Sequence, residues 1–252
     1  MGKIIAVVNQ KGGVGKSTTC VNLTAALHAR GRRTLLADID PQANSTSGLG
    51  VRKDRHPNTY DVLIGSSPAA AAVIETRYGF ILPSNRDLAA ADVELVGLER
   101  REYRLREALA PLKEQFEFIL IDCPPSLELL TINALAAADT VLIPVQCEYY
   151  ALEGLADLIN SIRLVKRGMN PSLEIEGILI TMFDNRTNFS NQVENELRSH
   201  FGDKVYDRVI PRNVRLAEAP SHGQPCIVYD RICKGTRAYL HFASEFLRDQ
   251  PQ

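Results

Sequence analysis

A glycine-rich loop with two lysines constrains the fold of this chain more than any other feature. It follows the apolar segment 3–9, opens a helical segment, and reads Gln10-Lys11-Gly12-Gly13-Val14-Gly15-Lys16-Ser17-Thr18. Such a loop suits phosphate, because glycines let backbone N–H groups turn inward and the helix N-terminus adds positive charge. The pattern predicts that Lys16 contacts the β- and γ-phosphates of a nucleotide and that the Ser17 hydroxyl ligates Mg²⁺. The alternative is a glycine-rich surface turn with solvated lysines.

The loop departs from the usual GxxxxGK[ST] pattern at one position. Gln10 replaces the first glycine of that pattern, and Lys11 adds a second lysine. A lysine that points out of the loop could supply, to a neighbouring subunit, the cation that a phosphoryl transition state requires. The residues predicted to contact the nucleotide here are Lys11, Gly12, Gly13, Val14, Gly15, Lys16, Ser17 and Thr18.

Apolar segments of strand length alternate with longer helical segments along the chain. The predicted strands are 3–9, 34–39, 118–121, 141–145 and 175–181, and the predicted helices are 17–30, 87–98, 128–138, 152–167, 191–201 and 236–248. Continuous apolar strands indicate burial on both faces, as in a parallel sheet. We therefore predict an α/β fold of the P-loop NTPase type, a doubly wound and mostly parallel sheet flanked by helices. Residues 1–252 are expected to form a single domain.

Composition excludes several classes of protein. The 29 basic and 30 acidic residues give a net charge of −1, so any binding of nucleic acid must come from a local basic patch. The five cysteines form no CxxC pair, which argues against a disulfide framework or a metal site. No signal peptide or membrane-spanning run is visible, and we expect a cytoplasmic protein that does not bind membranes.

Two aspartates follow predicted strands close to the phosphate loop. Asp122 ends the strand 118–121, where a carboxylate would hold Mg²⁺ through water; the alternative is a strand-end residue that caps a turn. Asp40 follows the second strand, beside the phosphate site of a doubly wound sheet. Asp38 could support the Mg²⁺ site or pair with a lysine, and both readings stay open. Ser17, Asp40 and Asp122 are the predicted metal site.

Five segments together resemble one family. KGGVGKST resembles the deviant Walker A motif of the ParA/MinD ATPases, and four further segments resemble its ParA/Soj branch: DIDPQANSTSGLG (38–50), LIDCPPS (120–126), IPVQCEYYALEGL (143–155) and IPRNVRLAEAPSHG (210–223). The resemblance implies an ATPase with ATP and Mg²⁺ as cofactors and weak basal hydrolysis. It implies catalytic roles for Lys11, Lys16, Asp40 and Asp122. In the family, Lys11 crosses to the partner's nucleotide in an ATP-bound homodimer, and Asp40 orients or activates the attacking water.

The same resemblance assigns a base-binding segment. Pro211 and Asn213 follow a predicted short strand, 204–210, and in the family this segment holds the adenine ring. From the residues alone the segment is a plain turn, since proline and asparagine both form turns.

A local excess of basic residues lies in the last fifth of the chain. Seven basic and three acidic residues between Lys204 and Arg237 leave a charge of +4. The residues alone are equally consistent with an ordinary solvated face. The resemblance places DNA contacts at Arg186 and Arg215 and makes Lys234 and Arg237 further candidates. No sequence-reading motif is visible, so binding to double-stranded DNA should be nonspecific and sensitive to salt.

The leading hypothesis is thus a ParA-type ATPase of chromosome or plasmid partition that associates with the nucleoid. A ParB-like centromere-binding protein would stimulate hydrolysis and release the dimer from DNA. One alternative is a MinD-like positioning ATPase, which would need a basic amphipathic C-terminal helix. Another is an electron carrier resembling nitrogenase reductase, in which Cys123 would hold an iron–sulfur cluster; a buried thiol is the simpler interpretation. A regulatory relative outside partition is also possible.

Overall fold

The computed structural model describes residues 2–148 and 151–250. Two residues of the segment 143–155, Tyr149 and Tyr150, therefore lie outside the described residues. The same holds for three residues of the predicted domain 1–252: Met1, Pro251 and Gln252. The strands are β1 (Lys3–Val7), β2 (Thr34–Asp38), β3 (Ile74–Thr76), β4 (Gly79–Leu82), β5 (Phe118–Asp122), β6 (Thr140–Gln146) and β7 (Glu174–Thr181).

Twelve α-helices connect or follow these strands in the described part of the chain. They are α1 (Lys16–His28), α2 (Asn44–Gly48), α3 (Thr59–Ile64), α4 (Ala69–Ala72), α5 (Leu88–Glu94), α6 (Arg104–Leu109), α7 (Leu129–Ala137), α8 (Ala151–Gly168), α9 (Asn188–Phe201), α10 (Val214–Glu218), α11 (Cys226–Tyr229) and α12 (Lys234–Arg248). Short 3₁₀ turns occupy Leu95–Gly97, Arg101–Tyr103, Ala110–Leu112, Gly202–Lys204 and Ala219–His222.

The seven strands form one sheet in the order β3-β4-β2-β5-β1-β6-β7. All neighbours pair in parallel except β3 and β4, which pair antiparallel at one edge. The sheet confirms the predicted α/β class. Because β5 lies between β2 and β1, the carboxyl ends of these three strands meet at one edge of the sheet, where doubly wound folds bind ligands.

Both faces of the sheet are buried, which explains why its strands read as continuous apolar runs. On β1, Ile4 and Ala6 face one core while Ile5 and Val7 face the other. Leucines of α7 and α8 cover the first core. The second is covered by α1 and by α12, whose Tyr239, Phe242 and Phe246 are at most 1% exposed. Within the described residues, no helix has the length and apolarity needed to cross a membrane.

One predicted strand is wrong. Residues 204–210 form no strand: Val205 makes only an isolated bridge to Ile178. The backbone N–H groups of Asp207 and Arg208 donate instead to the carboxylate of Glu245 on α12, at 2.6 and 3.0 Å. A side chain thus takes two donors in the middle of this run, whereas the N–H groups of Tyr206 and Ile210 still donate to carbonyls of β7. Eight short elements were not predicted individually: α2, α3, α4, β3, β4, α6, α10 and α11.

Candidate functional site

The loop between β1 and α1 is anchored at both ends. Gly15 precedes α1 with φ 91°, a left-handed conformation that glycine adopts without strain. The Thr181 hydroxyl, at the end of β7, donates to the carbonyl of Val14 at 2.7 Å. The Asn9 amide donates to the carbonyl of Pro144 at 2.7 Å, which ties the start of the loop to β6. The loop therefore has a fixed position at the carboxyl edge of the sheet.

Lys16, the first residue of α1, is only 7% exposed. Its Nζ donates to the carbonyls of Asn9 and Lys11, at 2.9 and 3.0 Å, and no carboxylate among residues 2–148 and 151–250 lies within ion-pair distance of it. Burial lowers the pKa of Lys16, and the negative charge of Asp122 is the largest influence that opposes this shift. A buried ammonium without a counter-ion is costly, so this site favours an anion.

A cavity of about 430 Å³ opens beside the loop. Seven predicted site residues line it: Gly12, Gly13, Gly15, Lys16, Ser17, Thr18 and Asp40. Five others do not line it: Lys11, Val14, Asp122, Pro211 and Asn213. The structure thus gathers the loop, the start of α1 and Asp40 around one space of ligand size.

The far wall of the cavity was not predicted. It includes Met182 after β7, Val21 and Asn22 on α1, and six residues late in the chain: Leu216, Ala217, Ala219, Pro220, Gln224 and Cys226. The amide of Asn22 donates to the carbonyl of Thr18 at 2.8 Å. The segment 210–223 contributed to the family resemblance, and that is the one signal in the sequence for part of this wall.

Asp122 ends β5 and is fully buried. Its Oδ2 accepts a hydrogen bond from the Ser45 hydroxyl at 2.7 Å, while no hydrogen-bond partner of its Oδ1 occurs among the described residues. Burial raises the pKa of Asp122, and the hydroxyls of Ser45 and Ser17 oppose this shift. A buried carboxylate oxygen without a partner fits Mg²⁺ or one of its waters, because Mg²⁺ takes oxygen ligands and uses few protein carboxylates. No group of three or more His, Cys, Asp or Glu suited to a metal occurs among the described residues.

Asp38 ends β2 directly opposite Asp122 in the strand register. Its Oδ2 accepts bonds from the N–H and hydroxyl of Thr46, both at 2.8 Å, and its Oδ1 accepts from the N–H of Asp40 at 3.1 Å. Burial, and then the charge of Asp122, raise the pKa of Asp38. Asp38 forms no ion pair with a lysine in the described chain; it instead holds the loop that carries Asp40.

Asp40 reaches the cavity through that loop. Its Oδ1 accepts from the N–H of Gln42 at 2.9 Å, and its carbonyl accepts from the Ser84 hydroxyl at 2.8 Å. The carboxylate is 6% exposed and shares the cavity with Lys16 and Ser17. This position allows Asp40 to contact a water or a ligand in the cavity.

Lys11 points away from the cavity. Its ammonium pairs with Glu148, and its side chain is 54% exposed. The pair is solvated and therefore weak, so Lys11 can exchange this partner at little cost in free energy.

The segment with Pro211 and Asn213 packs against the end of β7. The carbonyl of Phe183 accepts from the N–H of Arg212 at 3.1 Å, and Asn213 Oδ1 accepts from the N–H of Arg215 at 2.9 Å. Asn213 thus caps α10. The segment supports the start of the cavity wall without lining the cavity itself.

The four predicted DNA-contact residues are exposed, but two already have acidic partners. Arg186 pairs with Asp184 at 2.7 Å, and Arg215 pairs with Glu218 at 2.7 Å and Asp230 at 3.4 Å. Lys234 and Arg237 lie in the first turns of α12 and have no ion-pair partner among residues 2–148 and 151–250. A Cβ on Gly235 would come within 2.7 Å of Leu216, so α12 begins close to Arg215.

Fold and site together define a P-loop NTPase. A family profile described as an AAA domain matches residues 2–175. The chromosome partitioning protein ParA of Myxococcus xanthus (strain DK1622) is 53% identical over 256 residues, 100% of this chain and 90% of that protein. The sporulation initiation inhibitor protein Soj of Bacillus subtilis (strain 168) is 54% identical over 248 residues, 97% of this chain and 98% of that protein.

A solved structure is similar over the same range. Cobyrinic acid a,c-diamide synthase from Mycobacterium smegmatis, with bound ADP and magnesium, matches with a TM-score of 0.86 and 39% identity, and the match covers 98% of this chain and 95% of that one. The chain belongs to the ParA/Soj family of chromosome-partitioning ATPases, which confirms the resemblance seen in the sequence.

The raised pKa of Asp122 gives a pH-dependent prediction for the protein without nucleotide or metal. Its pKa is higher in the folded than in the unfolded chain, so ionisation weakens folding as pH rises above about 4. Asp122→Asn removes that cost and should stabilise the protein at pH 7 by roughly 1–3 kcal/mol. The gain should shrink toward zero as pH falls to about 4. Urea unfolding in EDTA measures this, and a variant less stable than the parent at pH 7 contradicts it.

Proposed function

We propose that the chain binds ATP with Mg²⁺ in the cavity beside Lys16 and hydrolyses it slowly, as a switch in chromosome or plasmid partition. The observation that carries this proposal is the buried ammonium of Lys16, which has two carbonyl partners and no carboxylate partner in the described chain. The β- and γ-phosphates of a nucleotide would supply the missing negative charge. The cavity volume of about 430 Å³ suits a ligand of that size.

The chemistry follows from the residues that surround the cavity. Loop N–H groups and the N-terminus of α1 bind phosphate oxygens, and Lys16 neutralises their charge. Ser17 and Asp122 would hold Mg²⁺, which neutralises phosphate charge when bound, and Asp40 is the third candidate for this site. Asp40 also orients the water that attacks the γ-phosphate in line. The adenine would contact the wall formed by residues 216–226, with Pro211 and Asn213 behind it.

The position of Lys11 explains both the slow hydrolysis and the dimerisation that we propose. Lys11, the second lysine of the loop, lies outside the cavity and pairs with Glu148 on an exposed surface. In an ATP-bound homodimer it would leave Glu148 and contact the partner's nucleotide, which adds the cation that the transition state needs. ATP can drive this closure only by binding the dimer more tightly than the monomer.

The basic residues near the start of α12 support the DNA-binding part of the proposal. Lys234 and Arg237, which have no ion-pair partner within residues 2–148 and 151–250, can contact phosphates directly. Arg186 and Arg215 must exchange exposed acidic partners that stabilise them little. Dimerisation would double this surface, so that only the ATP-bound form binds double-stranded DNA strongly. A ParB-like partner would then stimulate hydrolysis and release the dimer. Association with the nucleoid follows from this step.

Two of the three alternatives, the MinD-like protein and the iron–sulfur carrier, have less support. A MinD-like protein needs an amphipathic C-terminal helix free to bind lipid, whereas α12 buries Tyr239, Phe242 and Phe246 against the sheet. An iron–sulfur carrier needs accessible thiolates, whereas Cys123 is fully buried and burial raises its pKa. We also propose that the chain folds as the single domain 1–252, since both cores share one sheet.

Lys16→Ala tests the nucleotide site. Removing one partner of a buried charge pair costs about 3 kcal/mol or more, so ATP affinity should fall roughly 100-fold. Equilibrium binding of a fluorescent ATP analogue measures the effect. Lys166→Ala, on the surface of α8, is the matched control and should bind as the parent does. Tight binding by Lys16→Ala would refute the site.

Lys11→Ala tests the dimer. The variant keeps the backbone carbonyl that contacts Lys16, so it should bind ATP with near-normal affinity and yet remain monomeric. Sedimentation velocity with ATP and with ADP measures this, with Lys166→Ala again as control. If the variant dimerises as readily as the parent, Lys11 does not act across the interface.

Arg215→Ala tests the DNA surface. Losing one phosphate contact per subunit should weaken ATP-dependent DNA binding about tenfold at low salt and reduce the salt dependence by about one phosphate contact per subunit. Arg167→Ala, exposed on α8, serves as the control. Fluorescence anisotropy on duplexes of unrelated sequence gives both quantities. Unchanged affinity and slope would remove Arg215 from the interface.

A further inference from the structure

Two of the five cysteines lie in contact. The Sγ atoms of Cys226 and Cys233 are 3.6 Å apart, and both thiols are free. Cys226 is buried at the start of α11, and Cys233 is partly exposed just before α12. Cys20 and Cys123, in contrast, are fully buried beneath the sheet edge, where burial raises the pKa of each well above its usual range.

The two thiols of the pair differ in their burial and in their hydrogen bonds. Cys233 caps a 15-residue helix, and its Sγ accepts a hydrogen bond from the N–H of Thr236 at 3.4 Å. Cys233 is also the partly exposed member of the pair, so a dissolved oxidant can reach its sulfur more easily than that of the buried Cys226. Burial raises the pKa of Cys226, which keeps that thiol protonated. The buried Thr236 hydroxyl lies 3.5 Å from each sulfur and holds the two side chains side by side.

Cys226 also belongs to the wall of the cavity. Its backbone N–H donates to Asn22 Oδ1 at 2.8 Å, and Asn22 lines the same cavity from α1. The segment between the two cysteines carries Asp230, whose Oδ1 accepts from the N–H of Cys233 at 3.1 Å and whose Oδ2 lies 3.4 Å from Arg215. A change in the distance between the two sulfurs would therefore displace residues of the cavity wall.

We propose that Cys226 and Cys233 form a reversible oxidation site, in which a hydroperoxide converts the pair to a disulfide and thereby weakens nucleotide binding in the adjoining cavity. The second part rests on the nucleotide site proposed above; the first part does not. The function would be to hold the protein in its nucleotide-free form under oxidative conditions.

The chemistry balances with hydrogen peroxide as oxidant. The Cys233 thiolate attacks one peroxide oxygen, the O–O bond breaks, and a sulfenic acid forms while the other oxygen leaves as water after taking up a proton. The Cys226 sulfur then attacks the Cys233 sulfur, the S–S bond forms, and the S–O bond breaks to release a second water. Two thiols and one peroxide thus give one disulfide and two waters. A dithiol reductant reverses the reaction by exchange.

Formation of the disulfide bond requires Cys226, the cysteine that lines the cavity, to move. Bonded sulfurs lie about 2.05 Å apart, so the present separation of 3.6 Å must close by more than an ångström. Cys233 is held by the first turn of α12, whereas Cys226 begins a helix of four residues, which is the easier of the two to displace. Its displacement disturbs the contact with Asn22 and the wall beside it.

Mass spectrometry on the full chain tests the first part without nucleotide. Arg231 separates the two cysteines, so trypsin releases them on different peptides unless a disulfide joins them. Peroxide treatment should give the Cys226–Cys233 linked pair, which dithiothreitol separates again. Oxidation of Cys233 alone, a link to another cysteine, or no reaction would overturn the proposal.

Binding of a fluorescent ATP analogue tests the second part. Oxidised parent protein should bind about tenfold more weakly than reduced protein, within the usual range of coupling between sites. Cys233→Ser should bind normally and resist peroxide, because serine is a preferred helix cap and cannot form the disulfide. Cys147→Ser, which removes a thiol from the opposite core, should respond as the parent does. Equal affinity of reduced and fully linked protein overturns the proposal, whereas failure of the reduced protein to bind refutes the nucleotide site instead.

Discussion

The site depends most on the burial of one positive charge at the start of α1, directly after the glycine-rich loop. Lys16 is 7% exposed, and two carbonyls of its own loop hold its ammonium. Loop geometry, the fixed start of α1 and the anchoring of Val14 by Thr181 all serve to keep that charge beside the cavity. Folding alone gains little from an ammonium placed there, because desolvation disfavours its charged form. The arrangement makes physical sense as a site completed by an anion.

Two buried carboxylates, those of Asp38 and Asp122, lie at the same edge of the sheet as the buried ammonium. Asp38 and Asp122 lie opposite each other on neighbouring strands, both fully buried, and burial raises the pKa of both. Asp38 has hydrogen-bond partners on both oxygens, whereas one oxygen of Asp122 has none in the part of the chain that the structure describes. Asp38 therefore holds the loop that carries Asp40, whereas Asp122 has an oxygen that can bind a cation. An unpaired ammonium and an unpaired carboxylate oxygen at one edge of the sheet suit a nucleotide and its metal ion together.

The strands and the loop that depend on a local sequence pattern were predicted from the sequence. Continuous apolar runs identified β1, β2, β5, β6 and β7, and the glycine-rich loop before α1 indicated where the cavity lies. Residues 204–210 were misassigned because Glu245, almost forty residues later, takes the backbone donors of Asp207 and Arg208 in the middle of that run. The cavity wall at Leu216–Cys226 and the contact of Cys226 with Cys233 depend on tertiary packing, which no local pattern encodes. The ion pairs of Arg186 and Arg215 were likewise visible only in the structure.

The central claim is that nucleotide completes the site and thereby controls a DNA-binding surface. The most direct measurement is the binding of the unmodified protein to duplex DNA with ATP, with ADP and without nucleotide, across a series of salt concentrations. The account predicts that only the ATP form binds well, without sequence preference, and that its affinity falls steeply with salt. Equal binding in all three states, or no binding in any of them, would contradict it.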